Sequence, residues 1–126
     1  MTVASLAREL GIWEGIKDNI VRFAGRKAVR LLDQLGELPV KRSSATRRLG
    51  SYVTRNGRPV CIRLQFAQEP ENLKQTLLHE IAHACDHLSA RFAMSCRRAH
   101  GPSWQAWANA LGTSTKRVAR SSAPAT

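Results

Sequence analysis

The first third of the chain carries apolar residues at the three- and four-residue intervals of amphipathic helices. Thr2 or Ser5 can cap a short first helix that stops at Gly11. A longer helix is predicted from Trp13 to Leu35, with Gly36 just past its end, and Leu38-Pro39-Val40 then leads into a basic loop. The apolar positions of this longer helix are Ile16, Ile20, Phe23, Ala24 and Leu31.

The middle of the chain changes to the two-residue alternation of strands. Asn56-Gly57 is a strong signal for a type I′ turn. After it, apolar positions from Val60 to Phe66 alternate with Cys61, Arg63 and Gln65, and a shorter alternation around Leu49 to Val53 precedes it. We therefore predict a small antiparallel β-hairpin, although the pattern does not show which strand forms an exposed edge.

Helical spacing returns after Glu69-Pro70-Glu71-Asn72, where an acidic first turn containing proline suits the start of a helix. At about 100° per residue, the polar and apolar side chains of this segment fall in opposite arcs. The polar arc contains His79, Glu80, His83, Asp86 and His87, and the apolar arc contains Leu77, Leu78, Ile81, Ala84, Cys85 and Leu88.

A last short helix is predicted after Gly101-Pro102-Ser103. Trp104, Trp107, Ala108 and Leu111 would form its apolar face, and Gly112 would end it. Together the elements predict an α+β fold with N-terminal helices, a small antiparallel β-hairpin, a histidine-bearing helix and a C-terminal helix. We predict one domain over residues 1–112 and a disordered basic tail over 113–126.

Composition narrows the class of protein. No stretch approaches the roughly 18 apolar residues of a membrane span, and the N-terminus lacks the pattern of a secretory signal. The three cysteines are odd in number and have no CxxC spacing, which is typical of reduced thiols in a cytoplasmic protein.

The charge balance favours a polyanionic partner. The chain has 20 lysines and arginines against 9 acidic residues, a formal net charge of +11. We expect non-specific contacts with DNA phosphates, and association with the nucleoid, because no sequence-reading motif accompanies the charge. The candidate contacts are Lys41, Arg42, Arg47, Arg48, Arg97 and Arg98.

The polar arc of the histidine-bearing helix contains an HExxH pattern, His79-Glu80-Ile81-Ala82-His83. Residues four apart lie on the same helix face, so the two imidazoles can bind one Zn²⁺ ion. Glu80 flanks the metal and can take a proton from water as a general base. The competing interpretation is that these side chains form an ordinary solvated face.

A catalytic zinc site usually has a third protein ligand. No acidic residue follows Asp86, and Asp86 and His87 lie one turn too far along the helix to reach the same ion without strain. We therefore predict that Asp86 and His87 orient the metal ligands and do not bind the ion themselves. His100, which follows a loop, is predicted to be the third ligand. Cys96 is a weaker candidate for the same role.

These residues resemble the SprT-like zinc metalloprotease domain, the family that includes Spartan. The resemblance rests on His79-Glu80-Ile81-Ala82-His83-Ala84 and His100-Gly101-Pro102-Ser103-Trp104, and extends over residues 47–112 with the hairpin strands. It implies zinc ligation by His79, His83 and His100, catalysis by Glu80, and protein substrates crosslinked to DNA. Many bacterial members carry a four-cysteine zinc ribbon after this domain, and because residues 113–126 contain no cysteine we expect none here.

Three functional classes follow. The first is a zinc metalloendopeptidase that acts on DNA-associated or DNA-crosslinked proteins. The second is a non-catalytic zinc-containing module that binds nucleic acid, which a fourth ligand from His87 or Cys96 would favour. The third is a zinc hydrolase with a non-peptide substrate.

Overall fold

The computed structural model describes residues 1–45, 47–89 and 101–113, and these form an α+β arrangement of helices around a three-stranded sheet. The helices are α1 (Val3–Glu9), α2 (Trp13–Ala24), a 3₁₀ turn (Gly25–Lys27), α3 (Ala28–Gly36), α4 (Pro70–Ser89) and α5 (Pro102–Leu111). The strands are β1 (Val40–Arg42), β2 (Gly50–Arg55) and β3 (Arg58–Leu64). The predicted tail from residue 114 onward lies outside the described residues.

The N-terminal helices differ from the prediction in one respect. Thr2 caps α1 as expected, in a reciprocal capping box with Ser5. The single helix predicted from Trp13 to Leu35 is wrong, because Gly25 adopts a φ of +62° and divides it into α2 and α3. A residue in that conformation interrupts the helical hydrogen-bond ladder. The break lets both halves bury their apolar faces, including Ile20 and Leu35, which are fully buried.

The sheet is mixed, with strand order β1-β3-β2. The predicted hairpin of β2 and β3 is confirmed, and Asn56 and Gly57 both have the positive φ of a type I′ turn. The expectation of a purely antiparallel sheet is wrong, since β1 pairs in parallel with β3. Lys41 and Arg42 therefore lie on a strand and not in a loop. Three residues are too few for alternation to reveal this strand.

Helix α4 forms the centre of the molecule and begins where the sequence predicts. Its residues Leu77, Ile81, Ala84 and Cys85 are fully buried. It packs against α3, α5, β2 and β3. None of the helices in the described part of the chain combines the length and apolar character needed to cross a bilayer.

Helix α5 packs against α4 and α2, and the four apolar residues predicted for its inner face are buried. Gly112 ends it in the left-handed conformation, with a φ of +77°. Thr113 is buried, and its hydroxyl donates a hydrogen bond to Gln75 of α4 at 3.1 Å. Thr113 therefore packs on α4, and the domain boundary at 112 remains a prediction.

Candidate metal centre

The polar face of α4 is turned towards the protein interior. His79, Glu80 and Asp86 are only 7%, 6% and 5% exposed. On a solvated helix face these side chains would remain in water. Burying them costs desolvation free energy, which a merely solvated face would avoid. Their burial argues against that interpretation, and indicates that the fold uses these groups.

The two imidazoles of the HExxH pattern lie together against one aromatic ring. The ring centroids of His79 and His83 are 5.1 Å apart, as expected for residues one helical turn apart. Trp104 of α5 lies 4.9 Å from the His79 ring and 5.1 Å from the His83 ring, which it stacks on. Its indole N–H also donates to the carbonyl of His79 at 3.5 Å. Helix α5 therefore fixes the position of both imidazoles.

Glu80, which follows His79 on α4, lies close to the first residue of strand β2. A Cβ atom placed on Gly50 would lie 3.2 Å from Cγ of Glu80 and 2.7 Å from Cγ2 of Thr76. Only glycine permits so close an approach of strand and helix. Burial raises the pKa of Glu80 to about 8, and the nearby Arg48 guanidinium acts in the opposite direction. Arg48, predicted as a DNA contact, thus also lies near the candidate general base.

Hydrogen bonds fix the approach of β2 to α4. The Thr76 hydroxyl lies 2.9 Å from both the side-chain oxygen of Gln68 and the carbonyl oxygen of Asn72. The amide nitrogen of Gln68 donates to the carbonyl of Leu49, directly before β2, at 3.4 Å. The segment before α4, the start of β2 and the first half of α4 are therefore tied together beside Glu80.

Asp86 and His87 contact two different parts of the fold. The Asp86 carboxylate accepts a hydrogen bond from the Ser103 hydroxyl at the start of α5. His87 Nδ1 lies 2.7 Å from the Tyr52 hydroxyl of β2. Asp86 thus binds Ser103 at the start of α5, three residues after His100. His87 joins α4 to β2. Their predicted support of the metal ligands remains a prediction.

Part of the predicted site lies outside the described residues. This applies to His100, to the alternative ligand Cys96 and to the candidate DNA contacts Arg97 and Arg98. Within residues 1–45, 47–89 and 101–113, no group of three metal-ligating side chains comes together. Two of the three predicted ligands are adjacent, buried or half-buried, and of a type that zinc prefers, so the described residues fit part of a zinc site.

A comparison with models of protein families shows which family the chain belongs to. The model of the SprT-like family matches residues 22–123. The chain belongs to the SprT-like family. The match is wider than the predicted resemblance over 47–112, since it also takes in α3 and β1. No curated protein and no solved structure matches the chain.

Sequence reasoning missed several residues of this SprT-like site. It assigned Trp104 to the core, but the ring also packs on both imidazoles. The alternation from Leu49 to Val53 predicted only a strand, although Gly50 leaves no room for a Cβ beside Glu80 and the Tyr52 hydroxyl lies beside His87. These contacts join elements distant in the chain, so no local spacing announces them.

The remaining predicted DNA contacts lie at the surface. Lys41 and Arg42 of β1 are exposed, as are Arg47 and Arg48 in the segment that follows. The Arg42 guanidinium lies over the ring of Phe66, 5.7 Å from its centroid. These side chains can reach a polyanion, and their contact with DNA remains a prediction.

Proposed function

We propose that this SprT-like protein is a zinc-dependent metalloendopeptidase that acts on DNA-associated or DNA-crosslinked proteins. The observation that carries the proposal is a carboxylate, Glu80, buried beside two paired imidazoles on one helix. A zinc ion with a purely structural role gives no reason to bury this carboxylate. The geometry therefore favours catalysis over the non-catalytic nucleic-acid-binding module.

His79 and His83 would hold the zinc ion, together with His100. When bound, zinc supplies Lewis acidity, which polarises a substrate carbonyl and acidifies a water molecule. In its ionised form, which the positive charge of a bound zinc ion would favour, Glu80 takes the proton from the attacking water and returns it to the leaving amide nitrogen. Its burial excludes bulk water, and Trp104 keeps the imidazole rings oriented.

Strand β2 offers a means of holding the substrate. It is an edge strand of the sheet, and its first residue touches Glu80. An extended peptide can add to such an edge through main-chain hydrogen bonds, which suits a protease that accepts many sequences. We infer that the substrate backbone pairs with β2 and passes the candidate general base.

Contact with DNA would bring the enzyme to its substrates. The net charge of +11 and the exposed Lys41, Arg42, Arg47 and Arg48 support non-specific phosphate contacts, to which Arg97 and Arg98 would add. Such contacts concentrate the protease on DNA without selecting a sequence. A cytoplasmic, nucleoid-associated enzyme is the cellular setting that we propose.

A cleavage assay tests the proposal. A DNA-binding protein is incubated with the wild type, with Glu80→Gln and with Glu71→Gln, each with and without DNA. Glu71 lies exposed in the first turn of the same helix, so it provides a matched control. We expect Glu80→Gln to keep about one zinc ion per chain and to lose cleavage, and Glu71→Gln to behave as wild type.

Two outcomes would contradict parts of the proposal. Cleavage by Glu80→Gln at the wild-type rate would remove the assigned role of Glu80. Equal cleavage with and without DNA would remove the role of DNA and leave the peptidase activity standing.

A further inference from the structure

A concave groove of about 390 Å³ lies between α3, the 3₁₀ turn before it and the C-terminal end of α4. We call it the cationic groove. Three basic side chains line it: Arg26 and Lys27 from the 3₁₀ turn and Arg30 from α3. Leu31 and Leu88 provide apolar surface between them. None of these residues is among the DNA contacts considered above.

The three cations of the groove are not neutralised by the fold. The ion pairs among the described residues are Lys17–Glu14 and Lys74–Glu71, and no acidic side chain lines the groove. Like charges placed about one helical turn apart repel each other by a few tenths of a kcal/mol. This repulsion slightly destabilises the folded chain, and an anion in the groove would relieve it.

The lining of the groove fits a phosphodiester backbone. Guanidinium groups bind phosphate oxygens with two parallel hydrogen bonds, and the lysine adds a point charge. Leu88, which is partly exposed, can pack against the sugar. No aromatic side chain is among the described lining residues, so base stacking is not available and the contacts carry no sequence information.

The groove and the imidazoles lie on opposite sides of α4. Leu88 is nine residues after His79, which places it about 180° around the helix. It is five residues after His83, about 7.5 Å along the axis. A nucleic acid in the groove would therefore lie close to the candidate metal centre without covering the face of α4 that carries His79.

We propose that the cationic groove binds the phosphate backbone of DNA and is the main nucleic-acid contact of the described structure. The proposal deepens the DNA part of the proposed function. The binding itself does not depend on peptidase activity, so the two can fail separately.

The test measures DNA binding in the Glu80→Gln background, so that hydrolysis plays no part. The groove variant carries Arg26→Gln, Lys27→Gln and Arg30→Gln. A charge-matched control carries Arg55→Gln, Arg58→Gln and Arg63→Gln, three exposed residues of the hairpin. A third variant carries Lys41→Gln, Arg42→Gln and Arg47→Gln. Fluorescence anisotropy with a short labelled duplex gives the association constant of each over a salt series.

Each phosphate contact contributes about 0.9 to the slope of log K against log salt. We expect the groove variant to reduce this slope by about 2 to 3 and to weaken binding at least about tenfold at 50 mM salt. The hairpin control should change the slope by less than about 1. Equal losses in the groove and hairpin variants, or a larger loss in the Lys41 variant, would overturn the proposal.

A second measurement leaves the groove residues unchanged and covers the case of a groove variant that fails to fold. Bound DNA should protect Lys27 from acetylation in the otherwise intact Glu80→Gln protein, and should leave Lys17 of α2 reactive. Protection of neither lysine would overturn the proposal. Protection of Lys27 by an acidic polypeptide but not by DNA would also overturn the proposal, and would indicate a protein partner.

Discussion

Replacing Gly50 by alanine probes the contact on which the position of Glu80 depends. The added Cβ would lie 2.7 Å from Cγ2 of Thr76 and 3.1 Å from Cδ2 of Leu64. The first distance is too short for two carbon atoms, so β2 must move away from α4 or the helix side chains must shift. Either change alters the surroundings of Glu80, whose Cγ lies 3.2 Å from the new atom.

The size of the effect follows from two opposing contributions. Overpacking a well-filled interior costs about 1–3 kcal/mol. The reduced freedom of the unfolded chain returns about 0.4–1 kcal/mol for a change from glycine to alanine. We expect Gly50→Ala to lower the free energy of unfolding by about 1–2 kcal/mol, which lowers Tm by roughly 4 °C per kcal/mol. Denaturant unfolding followed by circular dichroism measures both.

A matched control and a double-mutant cycle separate the contact from the general effect of alanine. Gly15 lies in α2 with no atom within 4 Å of an added Cβ, so Gly15→Ala should stabilise the protein by about 0.5–1 kcal/mol. Thr76→Ser removes the obstructing methyl and keeps the hydroxyl that lies 2.9 Å from Gln68. Alone, Thr76→Ser should lower the free energy of unfolding by about 1 kcal/mol. In the Gly50→Ala background it should leave that free energy unchanged or raise it.

The cycle refutes the reasoning if the two substitutions add to within about 0.5 kcal/mol, the limit for independent sites. A stabilising Gly50→Ala, equal to Gly15→Ala, would show that β2 does not press on α4 at this point.

Three further predictions concern contacts around the same helix. Tyr52→Phe removes the hydroxyl that lies 2.7 Å from His87, so the free energy of unfolding should fall by about 0.5–1.5 kcal/mol; an unchanged denaturation curve would contradict this contact. Ser103→Ala removes a donor to the buried Asp86, so unfolding should become easier by about 1–3 kcal/mol and a chelator should extract zinc faster; unaltered stability and zinc release would argue against the link. Burial raises the pKa of the Cys85 thiol far above its usual range, so peptide mapping should find it unalkylated by iodoacetamide in the native protein and alkylated in denaturant; rapid native labelling would contradict its burial.

Local patterns predicted the elements whose signals lie within a few residues. Asn56-Gly57 announced the turn that both positive φ values confirm, and Gly112 ended α5 as expected. The periodicity of α4 predicted its start near Pro70. In each case a single physical constraint restricts the residue types at neighbouring positions. The constraint is either a backbone conformation or a helical face.

The parts that local patterns did not predict depend on pairing between distant segments. Strand β1 is three residues long and owes its existence to its parallel partner β3. Gly25 lies within the helix predicted from Trp13 to Leu35, and whether a helix continues through a glycine depends on how both halves pack. The sequence favoured a metal site on the polar arc of α4 but left a solvated face as the competing interpretation. The residues that cover the arc, which include Trp104 and Gly50, show that it is buried.

The candidate metal centre is tested most directly by anomalous diffraction at the zinc edge from crystals grown with zinc. We predict one peak, about 2.0–2.1 Å from an imidazole nitrogen of each of His79, His83 and His100. Zinc binding by these three residues would be contradicted by the lack of any zinc peak between His79 and His83, or by a zinc ion there with His100 turned away from it.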